Sequence, residues 1–479
     1  MLIKIQTNAM KKIIIFTLMT ISCATWSQAL LEGQLSPADQ TFKEEVLRAN
    51  HIPQLLQVAM GTAEKQQWQR HLIVWERLAS LQPFNAEFQY ELAKSYAKLD
   101  NKTGAYNALV ALQNAGLSYP VKDVEEFKGI QGTKVYDYIV DEMAANGTHY
   151  GEGEVVATVG ENYSGMLFEN LAYDVSQKRF LLASIRSGEI YQIDDKGALS
   201  SFINPVDPEK GPWGAVDIVV DSNNESFWVA SASMPHFNGV TEGNIGNADI
   251  AHYRLSDGKL IKQYDLSSIE APKLLSALHL GKDGSLYFLN VFNQTIYQLP
   301  ADSDKAEEVI SLPGLTAIKA ITSNADDSHL YVSDFEQGLF VINKASKQTA
   351  AMDPKRQRFF SGINDLFYID GDLVAIQSGV SPARVMRFDL NQDMFINTSY
   401  PLEAAHPAFD TLGNAVLVSD SIYYVANSQW DKMDMGGNLR SDAKWEPIQL
   451  IKSPVAYRLK EHRENQQRME KIKKQRGIK

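Results

Sequence analysis

Seven side chains that lie far apart along the chain are of types that bind cations or move charge: Glu169, Asn170, Asp217, Lys319, Asn364, Asp365 and Asn414. Carboxylates mixed with amide oxygens suit a hard divalent cation, since calcium takes roughly 6–8 oxygen ligands. Lys319 brings a different chemistry. An ammonium among acids either neutralises Asp217 or Asp365 as a buried pair or holds an anionic ligand. Glu169 and Asp365 also have a plainer reading as hydrogen-bonded turn residues, and Asp334 reads as a turn residue before the hairpin Phe335-Glu-Gln-Gly338. Short catalytic motifs do not compete. The sequence has no His-Glu-x-x-His of a zinc protease, no Gly-x-Ser-x-Gly elbow and no phosphate-binding glycine loop. Its nine His are scattered. Any chemistry must therefore come from residues that long-range topology brings together.

The elements that would do so are legible in the apolar pattern. The chain has 479 residues, 44% of them hydrophobic, and a net charge of -12. At ~100–200 residues per domain the length suggests two or three parts. The acidic balance argues against a nucleic-acid surface, and a single Cys excludes a disulfide scaffold or a cysteine-rich zinc module. From about Pro37 to Met143 apolar residues recur at three and four, the period of helices. Leu92, Ala93 and Tyr96 followed by Ala105 and Leu109 give the large-small complementarity of a helical hairpin, which resembles a tetratricopeptide repeat. Trp75 and Leu78 before Pro83, and Phe127, Val135, Tyr138 and Ile139 after it, suggest further degenerate units.

After Asn146-Gly147 the helical period vanishes. Six short apolar-aromatic runs replace it: Phe180–Ser184, Phe227–Ser231, Leu286–Asn290, Leu330–Asp334, Leu373–Gln377 and Ile422–Ala426. Each follows another apolar run and a polar turn, and most precede a third, such as Glu189–Gln192 or Thr295–Gln298. Six repeats of one composite pattern predict a six-bladed β-propeller of four-stranded sheets, since two-sheet sandwiches do not usually repeat in this way. The ring should close by pairing Glu154–Val159 with Ile448–Ile451, leaving no free sheet edge in sequence order. The expected fold is mixed, mainly β: a propeller over residues 147–457, preceded by a small α-helical, tetratricopeptide-like region over 30–146. Side chains opening each innermost strand would converge on one mouth. These are Glu169 and Asn170, Asp217, Ser276 or Ala277, Lys319, Asn364 and Asp365, and Thr411 or Asn414. A one-residue slip would exchange channel for core. The long loop Met234–Asp249, rich in Gly and Asn, would cover that mouth, while Trp430 reads as core and rim.

Phe168-Glu-Asn-Leu-Ala-Tyr-Asp174, Gly362-Ile-Asn-Asp-Leu-Phe-Tyr368 with Gln377-Ser-Gly379, and His406-Pro407 with Tyr423–Trp430 together resemble the gluconolactonase, luciferin-regenerating and senescence-marker family of six-bladed propellers. The resemblance covers roughly residues 165–455. It implies a divalent cation, calcium or zinc, on Glu169, Asp217 and Asp365, with Asn364 as a further ligand or substrate contact. It further implies hydrolysis of a lactone or ester, in which the metal polarises the carbonyl and activates a water. Asp365 and Lys319 are then the candidate catalytic residues, with Asn170 and Asn414 touching substrate. The sequence departs from that family in its middle blades, where Ser276-Ala277 and Ile318-Lys319 stand in place of Asn-Gly. The alternative is a non-catalytic protein-binding or scaffold protein that uses the helical region and the propeller surface for partners. Such folds host several chemistries and non-enzymes alike.

Both ends carry address signals. Lys11 and Lys12, the apolar run Ile13–Ile21 and the small-x-small Ser27-Gln-Ala29 form a secretory signal peptide over 1–29, too short for a ~20-residue membrane span. This points to a bacterial periplasm, with acylation of Cys23 as the alternative fate. The tail over 458–479 has nine Lys or Arg against three Glu. It is either a solvated helix or a basic arm for an acidic partner or anionic lipid. Expressed whole in a bacterial host, the chain is expected in the periplasmic fraction with Leu30 as its first residue, by intact mass. Retention of residues 1–29 on the cytoplasmic protein would overturn the signal-peptide reading.

Overall fold

The computed structural model describes residues 35–194, 197–353 and 358–476. The signal-peptide expectation and Cys23 lie outside them. The chain divides into two compact units, one running to Ala145 and the other from Asn146 onward.

The first unit is helical: α1 (Pro37–Arg48), α2 (Ile52–Glu64), α3 (Trp68–Leu81), α4 (Ala86–Lys98), α5 (Lys102–Asn114), a 3-10 turn (Glu125–Ile130) and α6 (Lys134–Asn146). Helix starts are set by side-chain caps, which satisfy backbone N–H groups that have no partner within the helix. Ser36 Oγ accepts from Asp39 N at 3.1 Å with Pro37 next in line, Asn85 Oδ1 from Phe88 N at 3.2 Å, and Asn101 Oδ1 from Gly104 N at 2.9 Å. Leu72, Val74, Leu78, Ala93, Ala105 and Leu109 are buried along the facing stripes. The Tyr96 ring lies over Gly104, where a Cβ would come within 2.7 Å of it, so the close approach of α4 and α5 needs glycine there.

The second unit is a ring of six four-stranded antiparallel sheets. Its first strand, β1 (Glu154–Val159), belongs to the last blade. Blade one is β2 (Phe168–Asp174), β3 (Arg179–Ser184), β4 (Ile190–Ile193) and β5 (Leu199–Ile203). Blade two is β6 (Gly214–Asp221), β7 (Ser226–Ala232), β8 (Ala248–Arg254) and β9 (Leu260–Tyr264). Blade three is β10 (Leu275–Leu280), β11 (Leu286–Asn290), β12 (Thr295–Leu299) and β13 (Glu307–Ser311). Blade four is β14 (Ile318–Ser323), β15 (His329–Asp334), β16 (Gly338–Asn343) and β17 (Thr349–Ala351). Blade five is β18 (Ile363–Ile369), β19 (Asp372–Gln377), β20 (Arg384–Leu390) and β21 (Ile396–Ala404). Blade six is β22 (Ala415–Val418), β23 (Ser421–Val425) and β24 (Ile448–Pro454), completed by β1.

The six apolar-aromatic runs are the second strands, β3, β7, β11, β15, β19 and β23. They read as continuous apolar stretches because both faces are covered, one by each neighbouring blade. Phe227, Phe288, Leu289, Val332, Val374 and Ile422 are all fully buried. Six apolar clusters fill the six gaps between blades. The last gap, between blades six and one, joins Phe168, Leu182 and Tyr191 to Val425, Ile448 and Leu450. Ring closure follows the expected pairing, from Glu154 opposite Lys452 to Val159 opposite Ile448. Asp334 is a turn residue as expected: Oδ1 accepts from Glu336 N and Gln337 N, and Oδ2 from Thr316 N and Ala317 N, at 2.7–3.0 Å.

Two further contacts fasten the ends of this unit. The tail is a helix, α7 (Leu459–Arg476), whose early part docks on blade five. Gln466 Nε2 donates to Asp389 Oδ2 and Thr398 Oγ1, and the His462 ring lies 3.7 Å from that of Tyr400. Ahead of β1, fully buried Glu403 takes Gly153 N at 2.6 Å, His149 Nε2 at 2.6 Å and Ser453 Oγ at 3.3 Å. A Cβ on Gly151 or Gly153 would overlap that carboxylate. Glu403→Ala leaves these donors without their acceptor, and a buried unsatisfied donor costs about 1–3 kcal/mol. Urea unfolding is expected to show a loss of at least about 2 kcal/mol, and a loss below about 0.5 kcal/mol, the usual range of a surface substitution, would refute the latch.

Candidate functional site

Five of the six innermost strands share one irregularity, and only β22 pairs without it. Pairing with the second strand slips between Phe168 and Asn170 in β2, Ala215 and Asp217 in β6, Ser276 and His279 in β10, Ile318 and Ala320 in β14, and Ile363 and Asp365 in β18. A bulge inserts an unpaired residue and re-aims the side chains beside it. Glu169, Val216, Lys319 and Asn364 are therefore equivalent, as are Asn170, Asp217, Ala320 and Asp365. The leading turns place Glu169 and Asn170, Asp217, Lys319, and Asn364 and Asp365 together at one mouth; the bulges set Asp217 and Asp365 one position beyond Glu169 and Lys319.

They do not, however, face one space. Glu169 and Lys319 line a cavity of about 780 Å³ at the mouth, while Asp217 and Asp365 line a second cavity of about 620 Å³ further along the channel. Asn170, Ala277 and Asn414 border both and form a waist between them. The waist is tied by amides. Asn414 Nδ2 donates to Asn170 Oδ1 at 2.5 Å, Asn170 Nδ2 to Val216 O, and Asn414 N to Glu169 O at 2.7 Å. Asn364 is buried and donates to Leu412 O and Gly413 O, each at 3.1 Å, so its amide staples blade five to blade six. Ser276 borders the mouth, whereas Thr411 bonds Asp431 at 3.4 Å and Asn414 takes the blade-six position.

At the floor of the mouth, Lys319 Nζ lies 3.0 Å from Glu169 Oε1, and Trp430 Nε1 donates to Glu169 Oε2 at 2.8 Å. Burial pulls the Lys319 ammonium down, but Glu169, with Asp217 and Asp365 behind it, outweighs that and holds its pKa above the ordinary value. In the channel, Asp217 accepts from Leu278 N at 2.5 Å and Ile218 N at 2.7 Å, and Asp365 from Ala415 N at 2.8 Å and Leu366 N at 2.9 Å. These bonds favour the ionised carboxylates, but burial outweighs them and pushes Asp217 up to about 7 and Asp365 up to about 8. Their neighbour His279 is driven down to about 4 by burial, with Nε2 2.9 Å from Ser323 Oγ.

Among the described residues, no group of three or more His, Cys, Asp and Glu is placed to hold a metal ion. Of the expected ligands, Glu169 faces the mouth with both oxygens engaged, Asp217 and Asp365 face the channel with both oxygens accepting backbone N–H groups, and Asn364 is turned into a staple. The donor set does not fit a divalent cation at one point. A cation belonging to the chain already stands beside Glu169.

Several residues that shape the mouth escaped the sequence reading. His236 stacks edge-on against Trp430, ring centroids 4.7 Å apart, and burial lowers its pKa. Ile245, Phe292 and Met435 ring the opening at 54%, 57% and 90% exposure. The loop Met234–Asp249 had been marked by its length, and it does border the mouth through Met234, Pro235, His236, Ile245 and Gly246. Trp430 and Met435 sit in the long connection from β23 to β24, which has no repeat pattern.

The channel acids set a pH dependence. Unfolded, an Asp titrates near 3.8; folded, Asp217 and Asp365 keep their protons to about 7 and 8. The folded chain therefore binds more protons between these limits, so their contribution to stability is whole below about 4 and is lost as pH rises through 7 and 8. Urea midpoints at fixed ionic strength are expected to fall from pH 5 to pH 8, and less so in Asp365→Asn. A wild-type midpoint that rises over that range would contradict the assignment.

No family model and no curated protein matches the sequence. Solved structures do match the propeller. A luciferin-regenerating enzyme is similar at 11% identity, covering 64% of this chain and 95% of its own, with a TM-score of 0.43. A gluconolactonase from Xanthomonas campestris is similar at 12% identity, covering 64% and 97%, with a TM-score of 0.40. Virginiamycin B lyase from Staphylococcus aureus is similar at 14% identity, covering 63% and 99%, with a TM-score of 0.39.

Proposed function

We propose that the propeller is a binding module whose mouth takes a small organic molecule, with the Lys319 ammonium in the place where the family resemblance puts a divalent metal. The observation that carries this reading is the 3.0 Å contact between Lys319 Nζ and Glu169 Oε1 at the floor of a 780 Å³ cavity. Cavities of roughly 300–1,000 Å³ with apolar walls and a few convergent polar groups are the usual form of small-molecule sites. Two unit charges 4 Å apart interact by about 4 kcal/mol at an effective dielectric of 20, and a divalent ion beside the ammonium would meet about twice that in gross repulsion. The pair already neutralises Glu169, so the site needs no added metal.

On this reading Glu169 and Trp430 are positioning residues. They hold the Lys319 amine in the cavity, where it is one-third exposed and keeps donors for a ligand. Asp217 and Asp365 serve the channel and the joints between blades. Calorimetry with millimolar calcium or zinc is expected to give no heat that depends on Glu169, and Glu169→Gln is expected to leave the titration unchanged. A saturable metal heat that Glu169→Gln abolishes, together with turnover of a lactone or ester panel, would restore the metal-dependent hydrolase.

A further inference from the structure

The mouth also carries information about its ligand, and here the inference rests on the binding reading above. Three charged side chains line it: Glu169, Lys319 and Lys273. Glu169 and Lys319 cancel. Lys273 makes no ion pair within 4.0 Å among the described residues; Asp265, the carboxylate it acts on, lies outside the lining, so the lining itself has one positive charge in excess. Lys319 offers three N–H donors, one of which goes to Glu169. The Ser276 hydroxyl belongs to the same lining, is buried and has no hydrogen-bond partner among the described residues. Spare donors and a surplus cation call for an acceptor that bears one negative charge.

The walls ask for something else. Met234, Ile245, Leu274, Phe292, Phe335 and Met435 face the cavity. Three of them, Ile245, Phe292 and Met435, stand half or more exposed at its opening and come from three separate connections in the fold. Covering such side chains stabilises a complex by about 25 cal/mol for each Å² of apolar surface removed from water. We infer that the mouth takes an apolar organic monoanion, a carboxylate on a hydrocarbon body, with its head at Lys319 and its body along the Phe292 and Met435 side of the opening. A cationic amphiphile of equal length would meet the two ammonium groups, and a neutral one would leave the surplus charge unanswered.

The test is calorimetry on the full chain with octanoate, octanol and octyltrimethylammonium, all below their aggregation thresholds. Octanoate is expected to bind about tenfold or more tighter than octanol, and the ammonium compound not measurably. Lys273→Gln, at the edge of the cavity, is expected to weaken octanoate about threefold or more and to leave octanol alone. The double change Glu169→Gln with Lys319→Met avoids stranding a buried charge and is expected to weaken octanoate to within about threefold of octanol, the share left to Lys273. Phe292→Asp is expected to weaken both, which fixes the site at the mouth. Equal binding of octanoate and octanol by the wild type would overturn the monoanion and leave the mouth a binding site. Binding by none of the three would overturn both.

Discussion

The antiparallel pairing of β1 with β24 holds the whole second unit in register. A blade cannot bury its faces alone, because each face is completed by a neighbour; six blades in an open row would leave two apolar faces in water. By lending its first strand to its last sheet, the chain removes that pair of faces and places Val159, Ile448 and Leu450 in the same cluster as Phe168 and Tyr191. Residues 150 positions apart, such as Glu169 and Lys319, meet only because the circle is closed. The Glu403 latch strengthens the same seam, bringing the segment before β1 against β21 and β24.

Within the ring, polar side chains divide into two kinds of work. Asn170, Asp217, Asn364 and Asp365 each bond to the backbone of the next blade, and Asn414 bonds the Asn170 amide there, as expected of groups that would be expensive to bury without partners. Glu169, Lys319 and Trp430 bond to one another and face an apolar space. Similar residue types at one level thus hold the joints between blades in one case and present a charge in the other. The bulge decides which: it turns two successive side chains out of strict alternation, so that one lies above the waist and the next below.

Much of this was legible in the chain beforehand, for a physical reason. The second strands are apolar on both faces, so Phe227–Ser231 or Leu286–Asn290 stand out without any partner sequence, and the leading turns fix the level of Glu169, Asp217, Lys319 and Asp365. The partition of those residues between mouth and channel was not legible, because a bulge shifts a side chain by half a strand period and leaves no mark in composition. Nor were the individual places of His236 and Met435 legible, although the loop holding His236 was expected over the mouth and Trp430 reads as core and rim. They lie in long connections, where neither the period of two nor that of 3.6 applies, and their positions depend on contacts such as Trp430 Nε1 with Glu169 Oε2.

The amide-tied waist has a consequence for the channel. Asn170, Ala277 and Asn414 border two spaces, so the hollow axis of the ring is a pair of wells set back to back across an amide collar. On the binding reading, a guest in the upper well sits beneath Ile245, Phe292 and Met435, the exposed apolar side chains of its opening. The acids of the lower well act on Lys319 through charge, so their protonation state would be felt in the upper well as a change of field.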